Sequence, residues 1–376
     1  MTKKKGFALA VTFLALVLSM PLMAQRNRDA NKDQKGQPPP QPENYSPKPS
    51  SQEEYTAFIA IEKEPNPANK ITLADQFLTT YPSSQLGGFV QRFRMETFTR
   101  MGKFKEAVAA GEQGLALEVK YLETMIAKAD AEAAAAKNAP RDDKKKQDPK
   151  APPMPPPINK DSAAFKKLID DTERAMMYYY QNLMSNYQQL NDAGKTIEWA
   201  QKALGQDPED LLTLLTLSSV MAARPPADPK DMEKQMKDAE EHGKKALSKV
   251  NALLSSPMAA QMRPEDKASL ASTANQTMGR IHYNNKKYSD AQKAYGAAIV
   301  AKKDDGEAYF YLGLALAQDK PPKVDDAMES LAKSIFLKGP TEAQASEILK
   351  QMYQNTKKSM DGYDEFIKQA GAKIPK

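Results

Sequence analysis

"GRIHYNNKKYSDAQKAYGAAI", Gly279 to Ile299, places glycine and alanine where an amphipathic helix should show bulk. A glycine inside a helix costs about 1 kcal/mol relative to alanine, so Gly279 needs a compensating reason. Ala291 and Ala298 flank Tyr295 at spacings of four and three, which puts small, large and small side chains on one helical face. Thirty-four residues on, Gly313 heads a segment of the same kind. "NQTMGRIHYNNKKYSDAQKAYGAAI" and "YFYLGLALAQDKPPKVDDAMESLAKSI" superimpose with two extra residues in the second turn. The stripe Ala291, Tyr295, Ala298 then falls on Ala327, Leu331, Ser334.

Weaker copies follow the same rule. "YQNLMSNYQQLNDAGKTIEWAQKALGQDP" offers Tyr180, Leu183, Tyr187, Ala200, Ala203 and Pro208. "LTLSSVMAARPPADPKDMEKQMKDAEEHGKKAL" offers Leu214, Leu217, Ser218, Ala239, Gly243 and Ala246, and "FVQRFRMETFTRMGKFKEAVAAGEQGL" offers Phe98, Phe104, Ala107, Gly111 and Gly114. "ANKITLADQFLTTYP" reads as the second helix of a partial unit ending at Pro82.

These copies resemble the tetratricopeptide repeat, a helix–turn–helix of 34 residues with a W-x2-L-G-x2-Y…A-x3-F…P pattern. The resemblance implies an all-α, superhelical array of helix–turn–helix repeats, an α-solenoid interrupted by disordered proline-rich segments. It also explains the small residues. Gly279 and Gly313 let the second helix of a unit press against the first, Ala291, Ala298 and Ala327 do so from the other side, and Tyr295 and Leu331 fill the space beyond.

Outside the repeats the composition changes. Residues 1–24 have the form of a secretory signal peptide: Lys3–Lys5, the apolar run "FALAVTFLALVL", the breaker Pro21, and Ala24 before a cut. Leu22 stands where a second small residue is preferred, and an uncleaved membrane anchor is the alternative, since Gly6–Ala24 could just span a bilayer. Residues 25–52 are polar and proline-rich and read as a disordered tether. Residues 128–160, with "AKNAPRDDKKKQDPKAPPMPPPINK" at their heart, read as a low-complexity linker or insertion. The expected organisation is therefore degenerate helical repeats over 53–127, tetratricopeptide-like repeats over 161–340, and C-terminal capping helices over 341–376.

The chemistry of the sequence is sparse. The chain holds 54 basic and 48 acidic residues, no cysteine and two histidines. Removing residues 1–24 takes away three lysines and no acid, leaving a net charge of +3 spread along the chain, which gives no reason to expect nucleic acid. Without cysteine neither disulfides nor a lipidated cysteine is available, and no metal or nucleophile–base spacing occurs. His282 falls on an inter-helix face and reads as a structural histidine; His242 reads as a surface residue. Asp304–Asp305 and Asp325–Asp326 suit helix N-termini. "YPSSQLGG" lacks the strand and lysine of a phosphate loop.

The expected function is that of an exported, non-enzymatic scaffold without cofactor, periplasmic or secreted, binding proteins or extended peptides of unknown identity. A membrane partner enters only if the N-terminal segment stays uncleaved. If first helices line the concave side, as the resemblance implies, the groove presents Phe89, Arg92 and Arg100, then Gln181, Ser185 and Gln188, then Gln276, Arg280, Tyr283 and Asn284. Amide and guanidinium groups there could bond the backbone of an extended segment. The Lys/Asn set of the carboxylate-clamp version has no counterpart. The alternative is a structural component of a bacterial envelope assembly, using the convex face or the proline-rich arms.

Overall fold

The computed structural model describes residues 44–138 and 158–375. Among them every regular element is a helix, and there is no strand. Contacts group the described residues into two compact units that meet at 192/193. That boundary lies inside the Tyr180–Pro208 repeat and not within 128–160.

The first unit holds α1 (Gln52–Lys63), α2 (Pro67–Thr80), α3 (Gly87–Arg100), α4 (Phe104–Asn138) and α5 (Ala163–Gln189). Local chemistry sets the starts. The Ser51 hydroxyl accepts from the Glu54 amide, and Asn66 accepts from Ala68 and Asn69 ahead of Pro67, each satisfying donors that a helix leaves open. Ile61, Ala74, Phe77, Leu86 and Val90 form the core of α1–α3. Met95, Phe98, Ala107, Ala110 and Tyr179 join α3, α4 and α5. Helices α4 and α5 run antiparallel: Gly111 faces Leu183, Gly114 faces Tyr179, and Ala129 lies with Phe165 and Leu168. A side chain at Gly114 would collide with the Tyr179 ring, whose hydroxyl reaches the Gly88 carbonyl at 2.8 Å.

Two expected boundaries move. Helix α4 continues through 128–138, eleven residues into the stretch read as linker. Alanine-rich "AKADAEAAAAK" is a strong helix former, and Ala129 is buried against α5. The far edge is also held: the Ile158 amide donates to Glu132 at 2.6 Å, and Lys160 pairs with Asp130 at 2.5 Å. Likewise Tyr45, inside the expected tether, packs edge-on against Phe165 and accepts a bond at its carbonyl from the Tyr121 hydroxyl. Residues 25–43 of the tether, the leader and residues 139–157 lie outside the described residues.

The second unit holds α6 (Ala193–Gln206), α7 (Leu211–Ala223), α8 (Pro229–Leu254), a 3-10 turn at Pro257–Gln261, α9 (Pro264–Asn284), α10 (Tyr288–Ala301), α11 (Gly306–Ala317), α12 (Val324–Phe336), α13 (Glu342–Lys357) and α14 (Tyr363–Ala372). Helices α7–α8, α9–α10 and α11–α12 pair as hairpins, and each hairpin packs on the next. In the α9–α10 crossing, a Cβ on Gly279 would lie 2.7–2.9 Å from the Tyr295 ring. In α11–α12, one on Gly313 would lie 2.9 Å from Leu331 Cγ and 3.1 Å from the Ala327 carbonyl. Ala291, Tyr295, Ala298, Ala327 and Leu331 are all fully buried. Tyr295 stacks on Tyr311 of the next hairpin, ring centres 5.7 Å apart and 14° from parallel. Helices α13 and α14 cover the outer side of α12, with Leu349, Tyr353 and Tyr363 in one core with Met328 and Leu331.

Candidate functional site

Helix α9 presents three faces, and its four expected groove residues lie on those that hold the protein together. On the face toward α11, Gln276 donates to Asp305 Oδ2 at 2.7 Å and Ser272 donates to the same oxygen at 2.6 Å. The other oxygen of Asp305 accepts from the Ala308 amide and so caps α11. One turn on, Arg280 bonds Glu307 at 2.9 Å, with its guanidinium 4.5 Å from the centre of the Tyr311 ring. The Arg280 side chain is only 14% exposed. Arg280, expected in the open groove, is thus spent on an internal pair. On the opposite side Asn284 donates to the Ala222 carbonyl at 2.7 Å, closing the end of α7. Tyr283 packs edge-on against Tyr288. Gln276, Arg280 and Asn284 thus join one hairpin to the next, while the Tyr283–Tyr288 contact lies within a single hairpin.

In the first unit, Arg92 lies 5.6 Å from the Phe89 ring centre and 5.5 Å from that of Tyr178. The Tyr178 hydroxyl donates to Glu96 at 2.7 Å, and burial pushes that phenol up, with the Glu96 carboxylate adding to the shift. Arg100 reaches the same carboxylate at 3.5 Å and is otherwise exposed. Gln181 and Gln188 are half-buried and Ser185 is exposed along α5.

The third face of α9 is different. Asn275, Met278 and His282 recur at three and four residues and form the floor of a cleft of about 500 Å³. Glu240, Lys244 and Leu247 of α8 make one wall; Asp290, Lys293, Ala294 and Ala297 of α10 make the other, with Lys287 at its mouth. The second helices of two successive hairpins therefore flank the first helix of the later one. Ala294 and Ala297 leave the room, while Met278 is buried beneath, its sulfur against Gly243 of α8.

His282 is the polar centre of this cleft. Its Nδ1 is buried and has no hydrogen-bond partner. Burial pushes its pKa down, against the opposing pull of Glu240 and Asp290, so the ring is neutral at pH 7. Glu240 is held by Lys244 at 2.7 Å and Lys287 at 3.3 Å, and Asp290 by Lys293 at 3.2 Å. Among the described residues no group of His, Asp and Glu is placed to hold a metal ion.

Of the cleft residues only His282 stands out in the sequence, as a packing residue. The signal was present: 240/244/247, 275/278/282 and 290/294/297 are each one face of a helix over two turns. What the sequence does not show is that these three faces meet.

No protein-family model matches the chain, and no curated protein matches it. Solved structures do match. One is a chain of the crystal structure of the APC/C hetero-tetramer Cut9–Hcn1, at 14% identity and a TM-score of 0.37, covering 80% of this chain and 54% of that one. This chain thus spans about half the length of that neighbour. Another is a computationally designed self-assembling cyclic homooligomer, at 14% identity and a TM-score of 0.15, covering 76% of this chain and 94% of that one. The assignment of an all-α fold built from helix hairpins rests on the helices and crossings described above.

Proposed function

We propose that this protein is a non-enzymatic binding module, exported from the cell, that seats a segment of a partner protein in the cleft between α8 and α10. The observation that carries this reading is the open recess over α9, where half-exposed Asn275 and His282 lie between two second helices and the small Ala294 and Ala297 side chains leave room above them. Concave sites on which several polar groups converge are where ligands bind. The expected first-helix groove is less suited, because its α9 members spend their hydrogen bonds inside the fold. Moving the seat to the second-helix side keeps the scaffold role and takes the face favoured by the envelope-component alternative.

The test uses a photo-crosslinking residue at Ala294 and, as control, at Ser185, in the full chain in its own host. The reading requires a discrete crosslinked protein from position 294, competed away when Ala297→Trp fills the cleft while the melting curve is kept. Equal crosslinking from both positions, or no effect of Ala297→Trp, would overturn it. Export is checked separately: N-terminal sequencing of the envelope-fraction protein should begin at Gln25. A chain starting at Met1 that resists carbonate extraction would favour the anchor.

A further inference from the structure

Residues 44–51 of the first unit, "NYSPKPSS", lead into α1 as a strap that contains neither helix nor strand. Ser46 and Lys48 each precede a proline, which turns them away from the helical region. Pro47 and Pro49 fix their own φ, so the strap stays extended by its own chemistry.

The body of the unit holds this strap as a groove holds a peptide, by side chains bonded to its backbone. The Tyr121 hydroxyl donates to the Tyr45 carbonyl at 2.8 Å. The Lys48 amide donates to the Gln85 side-chain oxygen at 3.0 Å, and the Ser50 amide to Glu54 at 2.6 Å. The Tyr45 ring stands edge-on against Phe165 at the start of α5, ring centres 5.7 Å apart, beside partly buried Leu122 and Met125 of α4. Backbone bonds with a slot for one ring read an extended shape and a single aromatic position.

The two halves of the strap are attached differently. Glu54 is 1% exposed and also accepts from the Ser50 and Ser84 hydroxyls, while Ser51 caps α1, so Ser50 and Ser51 belong to the fold. Tyr45 and Pro47 are only half-buried, and Lys48 and its bond to Gln85 lie at the surface. Asn44 to Lys48 can therefore lift about Pro49 without uncapping α1. Lifting bares the Tyr121 hydroxyl, the Gln85 oxygen and an edge of Phe165, the groups that had held the strap.

We propose that this slot is a peptide-binding site closed in cis by residues 44–48, and that its ligand is an extended partner segment with an aromatic residue two positions ahead of a proline. The seated strap supplies that composition. Prolines lower the chain entropy such a segment loses on binding. The site shares no residue with the α8–α10 cleft and stands or falls independently of it.

The probe is a fluorescein-labelled synthetic peptide, NYSPKPSS, titrated against the full chain and read by fluorescence anisotropy. A tethered segment competes at an effective concentration on the order of 1 mM, so the native chain should bind the free peptide weakly. Tyr45→Ala releases the cis occupant and should tighten binding about tenfold or more. Adding Tyr121→Phe, which removes only the hydroxyl donor, should take back several-fold of that gain. A peptide with alanine for its tyrosine should not bind either chain. A second measurement leaves Tyr45 in place. The chain has no cysteine, so Asn44→Cys gives one site for a nitroxide label, and saturating NYSPKPSS should narrow its resonance lines while the alanine peptide does not. This reading carries the test if circular dichroism shows Tyr45→Ala to be unfolded. No tightening in a folded Tyr45→Ala chain, or equal binding of the alanine peptide, overturns the proposal and makes the strap a fixed part of the fold. A native chain that dimerises with concentration, and loses this on Tyr45→Ala, overturns it too, because the strap would then be exchanged between copies.

Discussion

Two glycines seventeen residues apart show how the same residue can serve opposite ends. At Gly279 an added methyl would lie 2.7–2.9 Å from a fully buried tyrosine ring; at Gly296 it would meet nothing within 4 Å. Gly279→Ala is therefore expected to destabilise by about 1–3 kcal/mol, the usual cost of overpacking. Gly296→Ala should stabilise by about 0.5–1 kcal/mol, because alanine has less backbone freedom to lose. Urea unfolding of both variants checks the pair, and equal shifts would show that the crossing at Gly279 is looser than described. Arg280 needs a different argument. Its charge is mostly buried, paired with Glu307 and stacked on Tyr311. Arg280→Glu sets two carboxylates together, and breaking such a pair costs about 3–5 kcal/mol when fully buried. Since Glu307 keeps 26% exposure, the lower end applies. The sequence alone predicts no loss of melting here, because a polar residue facing away from its own hairpin cannot be told from one facing the next.

His282 adds a pH signature. Its folded pKa lies below the ordinary histidine value, so the unfolded chain takes up the proton first as pH falls. Its contribution to stability is whole above about pH 6.5 and is lost on acidification below that. The melting midpoint of the native chain should drop between pH 7 and 5 more steeply than that of His282→Gln. Parallel profiles would mean that the ring titrates freely.

At the scale of the element, the hairpin turn repeats more faithfully than the sequence that makes it. Helices α3, α5 and α9 end with one set of bonds: Lys103 to Phe98, Asp192 to Tyr187 and Lys287 to His282 each run from amide to carbonyl five residues back. The residue before each donor is left-handed, with φ of 71° at Gly102, 57° at Asn191 and 59° at Lys286. This is the Schellman ending, which favours glycine and tolerates asparagine. Lysine at 286 carries a left-handed penalty of about 1–2 kcal/mol, part of which glycine would return as lost chain entropy. Lys286→Gly should raise stability by up to about 1 kcal/mol, read as a higher urea midpoint at unchanged slope. A fall would show that the lysine side chain contributes what its backbone costs.

The same scale explains which elements were legible. The hairpins over 275–335 announce themselves through Gly279, Gly313 and the small–large–small stripes, because crossing helices need those sizes. The end of helix α4 is hidden in the sequence because alanine and charge from 128 to 138 look like low complexity when the facing Phe165 and Leu168 lie beyond a proline-rich stretch. The cleft was illegible for a related reason. Its walls come from helices about fifty residues apart, and nothing in either period says which neighbour it faces.

At the largest scale, a row of hairpins that each pack on the next, as in the second unit, has an end to close. An open end exposes the face that the following unit would cover, so terminal elements must differ from the repeats. Helices α13 and α14 do this for the second unit: they bring Ala345, Leu349, Tyr353, Tyr363 and Ala370 against Phe310, Met328, Leu331 and Ala332. The glycine logic recurs there, since a side chain at Gly371 would collide with the Phe336 ring. Ending the chain after Lys357 removes α14 alone; ending it after Gly339 removes both helices. Leu349 by itself accounts for about 1.5–3 kcal/mol of burial, and the second truncation also bares an apolar side of α12 that then favours association. The expected order of melting midpoints is full chain, then loss of α14, then loss of both, with the shortest form aggregating at micromolar concentration in light scattering. If the shortest form instead melted as the full chain does and stayed monomeric, α12 would be a sufficient end by itself. The row of hairpins would then close at Phe336, and the last two helices would be free to serve a partner.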